Sequence, residues 1–275
     1  MRLVSICILS VIFIYSHAQE TQLERYAEKE KALKLLFDQL YSDSDTVNKE
    51  SVADIIAEKF AAVLQEDESF DYRWSNLDKI GKIGSEDNQV KIFTWHLQLD
   101  KDNYLYYGFI QLKLKRDRVK LFRLQDFPQK NPAAEMLDQS IEAWHGKLYY
   151  SIIQKHYRRD TYYTLLGMDF NDALSTMKTI EVLTIRRNRP DFAKHMFFNG
   201  KDYKDRVVLE YSSQVAISVR YNGQMDMIVY DHLIPLHPVY KGNYMFYGPD
   251  GSYDGYEFID GTWMLREDVD ARNVY

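Results

Sequence analysis

Cysteine is almost absent from this chain. Cys7 is the single one among 275 residues, and it lies inside an apolar N-terminal run. The chain beyond that run therefore has no disulfide, metal–thiolate site or thiol nucleophile to work with. Catalytic signatures are absent as well: no G-x-S-x-G elbow, P-loop, H-E-x-x-H or dinucleotide glycine fingerprint occurs. Basic excess is also missing. The formal net charge is −6, whereas a sequence-independent grip on nucleic acid requires a basic surface, so nucleic acid is not an expected partner.

The features present begin with a leader. Arg2 supplies a positive start, Leu3 to Tyr15 are apolar apart from Ser5 and Ser10, and Ser16-His17-Ala18 carries small residues where a signal peptidase reads. Residues 1–18 are thus expected to be a signal peptide, cleaved after Ala18. The apolar run is shorter than the ~20 residues a spanning helix needs, so no transmembrane segment is expected once the leader is removed. Export without cysteine fits a bacterial periplasm, outer-membrane surface or extracellular location better than an animal secretory route.

Residues 19–68 read as a helical hairpin. Thr21 and Glu24 have capping-box spacing, and Leu23, Tyr26, Leu33, Leu36, Phe37 and Leu40 recur at helical period to about Tyr41. After the turn cluster at 42–45, a second helix from Asn48 to Gln65 carries Val52, Ile55, Ile56, Phe60, Val63 and Leu64 on one side. Residues 69–88 are polar and read as a linker or irregular lead-in. From 89 to 275 short strands and turns dominate. Val90–Leu99, Tyr104–Lys115 and Val119–Leu124 form a meander expected to have one apolar and one polar face. Pro128–Ser140 is a break, and Lys147–Lys155, Thr161–Met168 and Lys178–Ile185 are further strands. The fold expected is mainly β: an antiparallel meander or sandwich-like sheet domain behind an α-helical hairpin, with a propeller-like arrangement as the alternative.

The stretch from Arg206 to Trp263 organises the C-terminal half. Asn222-Gly223 predicts a type I′ hairpin before Met227–Tyr230, and Asp250-Gly251, Asp254-Gly255 and Asp260-Gly261 punctuate the chain beyond it. Asp250 to Gly255 copies the first half of a calcium loop, but Gly261 stands where a bidentate Glu is required. Asp231, His232, Asp254 and Glu257 are the polar groups from which an acid–base site could be assembled. His232 and His237 are legitimate metal ligands whose spacing matches no zinc motif, so no metal or cofactor is assigned. Tyr247, Tyr253, Tyr256 and Trp263 belong to an aromatic-dense meander in a chain of 22 Tyr, 14 Phe and 4 Trp. Such rings either bind a ligand at the surface or fill the core.

The run RVVLEYSSQVAISVRYN…MIVYDHLIP…FYGPDGSYDGYEF…GTW…DVDARN resembles a recurring C-terminal half of exported proteins of unknown function from Bacteroidetes-type bacteria, over the C-terminal two thirds of the chain. The resemblance implies secretion by such a bacterium and implies no activity. The function expected is that of an exported, non-catalytic binding or envelope-associated protein, with a glycan, a peptide or an envelope protein as partner. The alternatives are a secreted hydrolase acting on glycans or peptides, and a structural subunit of an envelope assembly.

Overall fold

A computed structural model describes residues 2–44, 47–127, 135–136 and 139–271, with side chains from Thr21 onward. The expected leader over 1–18 lies outside the residues whose side chains are described, and most of the break at Pro128–Ser140 lies outside the described residues altogether. The chain divides into two compact units, one of residues 1–79 with 116–119 and one of 80–115 with 120–275.

The first unit is the helical hairpin. Helix α1 (Arg2–Leu40) and helix α2 (Lys49–Leu64) bury Tyr26, Leu33, Phe37 and Leu40 with Val52, Ile56, Phe60 and Leu64. These positions recur at three- and four-residue spacing, the stripe that a helix must cover to be stable in water. Asn48 caps α2 by accepting the Ser51 amide proton at 3.0 Å. Thr21 is not a cap, because α1 runs through it. Leu23 and Ile55, expected on the buried stripes, are exposed. The segment read as an irregular lead-in is packed: Phe70, Trp74 and Leu77 are buried, and Trp74 meets Tyr26, Phe60 and Tyr72 edge to face. Glu30 lies buried on α1 and is fully used, accepting from the Tyr72 hydroxyl (2.8 Å) and from both the amide (2.7 Å) and side chain (2.8 Å) of Asn76.

The second unit contains three sheets. The first pairs β1 (Gly81–Gly84), β2 (Val90–Gln98), β3 (Tyr104–Lys113) and β4 (Val119–Gln125) in sequence order. The middle sheet uses β5 (Leu148–Tyr157), β6 (Asp160–Asp169), β7 (Ser175–Arg186) and the short β8 (Arg189–Phe192). After β9 (Phe197–Phe198) and β10 (Tyr203–Lys204) it is completed by β11 (Arg206–Ser212), giving the order β11-β7-β6-β5 with β8 beside β7. The third sheet adds β12 (Val219–Asn222), β13 (Met227–Pro235), β14 (Tyr247–Ile259) and β15 (Thr262–Arg266) to β9 and β10. Among the described residues the strand pairings are antiparallel except for β15 with β9.

The middle sheet is covered on both faces. Tyr149, Tyr163, Leu165 and Leu183 point into one core with Val90, Ile110 and Trp144. Ile153, Leu166, Ile180 and Val182 point into another with Ile228, Tyr256 and Trp263. Alternation along each strand therefore sends apolar groups both ways, as in a three-layered sandwich. The polar face expected for the first meander is not found, since β2 and β3 are buried on both sides along most of their length.

Turn chemistry departs from expectation in an instructive way. Asn222 pairs with Met227, so the loop after β12 is four residues long; the Asn222 side chain accepts from the amides of Gln224 and Met225, and the left-handed residue is Asp226. Two-residue turns with both φ values positive, as a type I′ turn requires, are found instead at Asp260-Gly261, between Ile259 and Thr262, and at Arg187-Asn188, between Arg186 and Arg189. Asp254-Gly255 is no turn at all. Gly255 sits inside β14, where an added Cβ would lie 2.9 Å from the carbonyl oxygen of Ile228.

Candidate functional site

Of the four acid–base candidates, His232 and Asp254 meet, while Asp231 and Glu257 are engaged elsewhere. His232 stands at a register shift between β13 and β14 and donates or accepts through Nδ1 with Asp254 Oδ2 at 2.7 Å. That contact, with the further charges of Asp250 and Glu267, raises the His232 pKa above the usual imidazole value. Asp254 is committed on its other side, accepting the Asp268 amide proton at 3.2 Å. Asp231 instead accepts from the Ser218 amide at 2.6 Å, and Glu257 is paired with Arg266 at 2.8 Å. Ser252, the nearest aliphatic hydroxyl in sequence, gives its proton to Asp250 at 2.7 Å. The arrangement is a carboxylate–imidazole pair with its hydroxyl neighbour turned away.

The metal candidates part company too. His237 accepts the Val239 amide proton at the start of the 3-10 turn Pro238–Tyr240, while His232 serves Asp254. Among the described residues no group of three or more His, Cys, Asp or Glu is placed to hold a metal ion. Asp250 to Gly261 runs as strand and hairpin and does not wrap into a calcium loop.

The aromatic candidates fall on both sides of the surface. Trp263 is fully buried, and its Nε1 donates to Thr164 Oγ1 at 2.9 Å; Tyr256 is buried against Phe197 and Tyr230. Neither can present a ring to a ligand. Tyr253 packs at half depth beside Met227 and Val229. Tyr247 lies against Tyr244 with centroids 4.9 Å apart and accepts the Gly242 amide proton at 3.0 Å.

A second polar cluster is deeper. Lys147 Nζ meets Glu181 Oε2 at 2.9 Å with both side chains almost fully buried. Glu181 also accepts from the Tyr149 hydroxyl, which in turn accepts the Trp144 Nε1 proton at 3.0 Å, and it faces Arg206 across the β7–β11 ladder. One carboxylate thus serves two cations and a phenol. Glu181 is held below the usual carboxylate range by Lys147 and Arg206 against the effect of burial. Lys147 is pulled down to about 8, because desolvation outweighs its share of Glu181. The group is enclosed and structural: Gly167 leaves room for the lysine stem, which an added Cβ would meet at 2.8 Å.

Two clefts among the described residues have room for a ligand: one of about 520 Å³ in the first unit, lined by Tyr26, Asp67, Tyr72 and Arg116 among others, and one with a stacked aromatic pair at one end of the first two sheets. The second, open and of about 610 Å³, is lined by Gln98, Tyr104, Phe170, Thr176, Lys178 and Tyr211, among others. The Tyr104 and Phe170 rings stack at 5.3 Å and 25°, and Gln98 Nε2 fixes the Tyr104 hydroxyl at 3.0 Å. Lys178 reaches the carbonyl of Ile217 (2.7 Å) and lies over the Tyr150 ring; burial lowers its pKa, opposed by the charge of Asp231. Loop 170–174 is held by Asp102, which accepts from the Ala173 amide at 3.2 Å, and by Ser213, which donates to the Ala173 carbonyl at 2.8 Å. Such a cleft, with flat rings beside hydrogen-bonding groups on a rigid frame, can hold an elongated, partly polar ligand without covalent chemistry.

Sequence reasoning missed this cleft. It draws on segments 98–104, 168–178 and 211–217, which only pairing brings together. One local signal was available: Phe170 stands inside the turn cluster Asp169-Phe170-Asn171-Asp172, where an aromatic ring has no strand to hide in. The sequence matches no family model, no curated protein and no solved structure, so this geometry carries the functional reading.

Proposed function

We propose that this chain is an exported, non-catalytic binding protein whose ligand is an extended glycan held in the cleft between Tyr104 and Tyr211. The observation that carries the reading is the stacked, half-buried Tyr104–Phe170 pair lining an open cleft of mixed polar and apolar character. Sugar rings offer apolar faces to such a platform and hydroxyls to Gln98, Thr176 and Ser213, and the cleft volume falls in the range of ordinary ligand sites, about 300–1,000 Å³. Export is supported by the leader pattern at 1–18 and by the absence of cysteine after it.

The test is calorimetric titration and thermal shift with soluble hexasaccharides of glucose, xylose and N-acetylglucosamine and with peptidoglycan fragments. A ligand at a hundredfold excess over its Kd stabilises the folded chain by about 2.7 kcal/mol. Tyr104→Ala and Phe170→Ala should abolish the shift, read for each variant against its own ligand-free midpoint, which lies below the parent's because both rings also pack against the first core. No response to any glycan would refute the glycan assignment.

The second reading, a hydrolase, rests on the His232–Asp254 pair at 2.7 Å. Turnover of p-nitrophenyl esters or glycosides lost in His232→Ala would establish it over the binding reading.

A further inference from the structure

The hairpin tip between β13 and β14 carries an arrangement that the cleft does not use. Leu236 is 76% and Val239 74% exposed, and Ile234, Tyr240 and Tyr244 are exposed as well. Large apolar groups left this open need either disorder or a purpose. Here the backbone is ordered. Leu236 N donates to the Phe246 carbonyl at 2.9 Å, Asn243 N to that of Tyr240 at 2.9 Å, and Gly242 N to the Tyr247 hydroxyl at 3.0 Å. Tyr240 stacks on Phe246 at 4.1 Å, and His237 caps the turn that presents Val239. The fold holds the aliphatic tips in water and does not tuck them away.

Charge is distributed to match. The chain carries −6 overall, yet residues 232–249 (HLIPLHPVYKGNYMFYGP) contain no Asp or Glu and one Lys, Lys241. This is a segment that can approach a phosphate-bearing surface from which the rest of the protein is repelled. A protein partner fits less well. A stable interface covers about 800 Å² on each side, whereas the tip offers a few protruding side chains. Two strongly exposed aliphatic groups, with less exposed tyrosines and one lysine in the same loop, supply the chemistry that a bilayer takes up, acyl chains for the first and headgroups for the second.

We propose that this hairpin tip is a membrane-surface anchor, inserting Leu236 and Val239 among the acyl chains of a lipid bilayer with Tyr240, Tyr244 and Lys241 at headgroup level. The proposal is independent of the glycan reading. It does place the anchor beside the cleft, since Gly248 at the hairpin base lies against Val215 on the cleft rim.

The test uses the full chain with Cys7→Ser, labelled through Val239→Cys with a polarity-sensitive nitrobenzoxadiazole dye. The same dye on Lys201→Cys, at the β9–β10 turn, is the control. Vesicles of phosphatidylethanolamine and phosphatidylglycerol should shift the Val239 label to shorter wavelength and brighten it, and leave the Lys201 label unchanged. Any binding through the leader moves neither label into lipid. In a second arm, Leu236→Ser/Val239→Ser should cut the lipid-induced signal of a dye placed at Tyr244→Cys at least tenfold in apparent affinity, equivalent to about 1.4 kcal/mol. These residues are exposed, so the variant should keep its thermal midpoint. No shift at position 239 overturns the proposal. A shift that needs no vesicles and grows with protein concentration also overturns it, by making a second copy the occupant.

Discussion

Replacing Glu181 with Gln tests the electrostatic logic of the second unit most directly. The carboxylate is buried between Lys147 and Arg206 and accepts from Tyr149. Its loss leaves two buried cations without their shared anion. Breaking a buried pair in this way costs about 3–5 kcal/mol, a large part of the roughly 5–15 kcal/mol that holds a protein folded. Lys147→Met should cost less than half as much, because Glu181 keeps Arg206 and Tyr149 and because Met fills the channel over Gly167. Urea unfolding followed by far-ultraviolet circular dichroism reads the difference: at a slope of roughly 2 kcal/mol per M, a loss of about 4 kcal/mol moves the midpoint by about 2 M. The double variant Lys147→Met/Glu181→Gln should be more stable than Glu181→Gln alone, since the stranded ammonium is gone. The pH dependence follows from the same cluster. Lys147 in the folded chain releases its proton near 8, below the 10.5 of an ordinary lysine. From about 8 upward the unfolded chain therefore binds more protons at this position, and stability contributed by it rises with pH. Above about 10 the buried Tyr149, whose pKa is raised, reverses the slope. Glu181, with its pKa depressed, gives a contribution present above the ordinary carboxylate value and lost as pH falls through its folded value. The slope between 8 and 10 should be smaller in Lys147→Met than in the parent. If Glu181→Gln loses under about 1 kcal/mol, or if the two single losses simply add, the shared-anion reasoning is wrong.

Further outcomes can be checked singly. The His232 ring should titrate above 6.5 by nuclear magnetic resonance and return toward that value in Asp254→Asn; because its folded pKa is raised, any stability it adds is present below about 6.5 and disappears as pH rises through the folded value. Gly146→Ala should destabilise by about 1–3 kcal/mol or more, since its Cβ would stand 2.4 Å from the Cβ of Tyr106. Gly251→Ala meets nothing within 4 Å but sits at φ +91, so thermal melts should show about 1–2 kcal/mol of pure backbone strain. Trp263→Phe removes the Nε1 donor to the buried Thr164 hydroxyl and should cost about 1–3 kcal/mol by urea titration.

Local rules read well where local physics decides. Most of the two helix stripes, the Asp260-Gly261 turn and the strands β5 to β7 could be found from spacing and composition, whereas the capping-box spacing at Thr21 misled because α1 runs through it. Asn222-Gly223 misled because Asn222 uses its own side chain to close a four-residue turn, leaving Asp226 to take the left-handed conformation. Alternation misled where a sheet is covered twice. A polar residue at every second position normally points to water, but Glu181 and Thr179 on β7 point into a layer occupied by Lys147 and Gly167. The His232–Asp254 contact was legible as a pair of residue types and not as a distance, for it depends on the register shift near His232. The cleft was legible only in part, through the misplaced aromatic at Phe170, since its walls come from strands far apart in the chain.

The placement of the tryptophans has a spectroscopic consequence. Trp74, Trp95, Trp144 and Trp263 are all shielded from solvent, the first in the helical unit and the other three in the β unit. Folded protein should fluoresce at short wavelength and resist quenching by acrylamide. With Trp74→Phe the emission comes from the β unit alone, and subtracting it from the parent's isolates the helical hairpin. The chain thus carries an intrinsic reporter for each unit, and a single denaturation experiment can tell whether the two melt together or in turn.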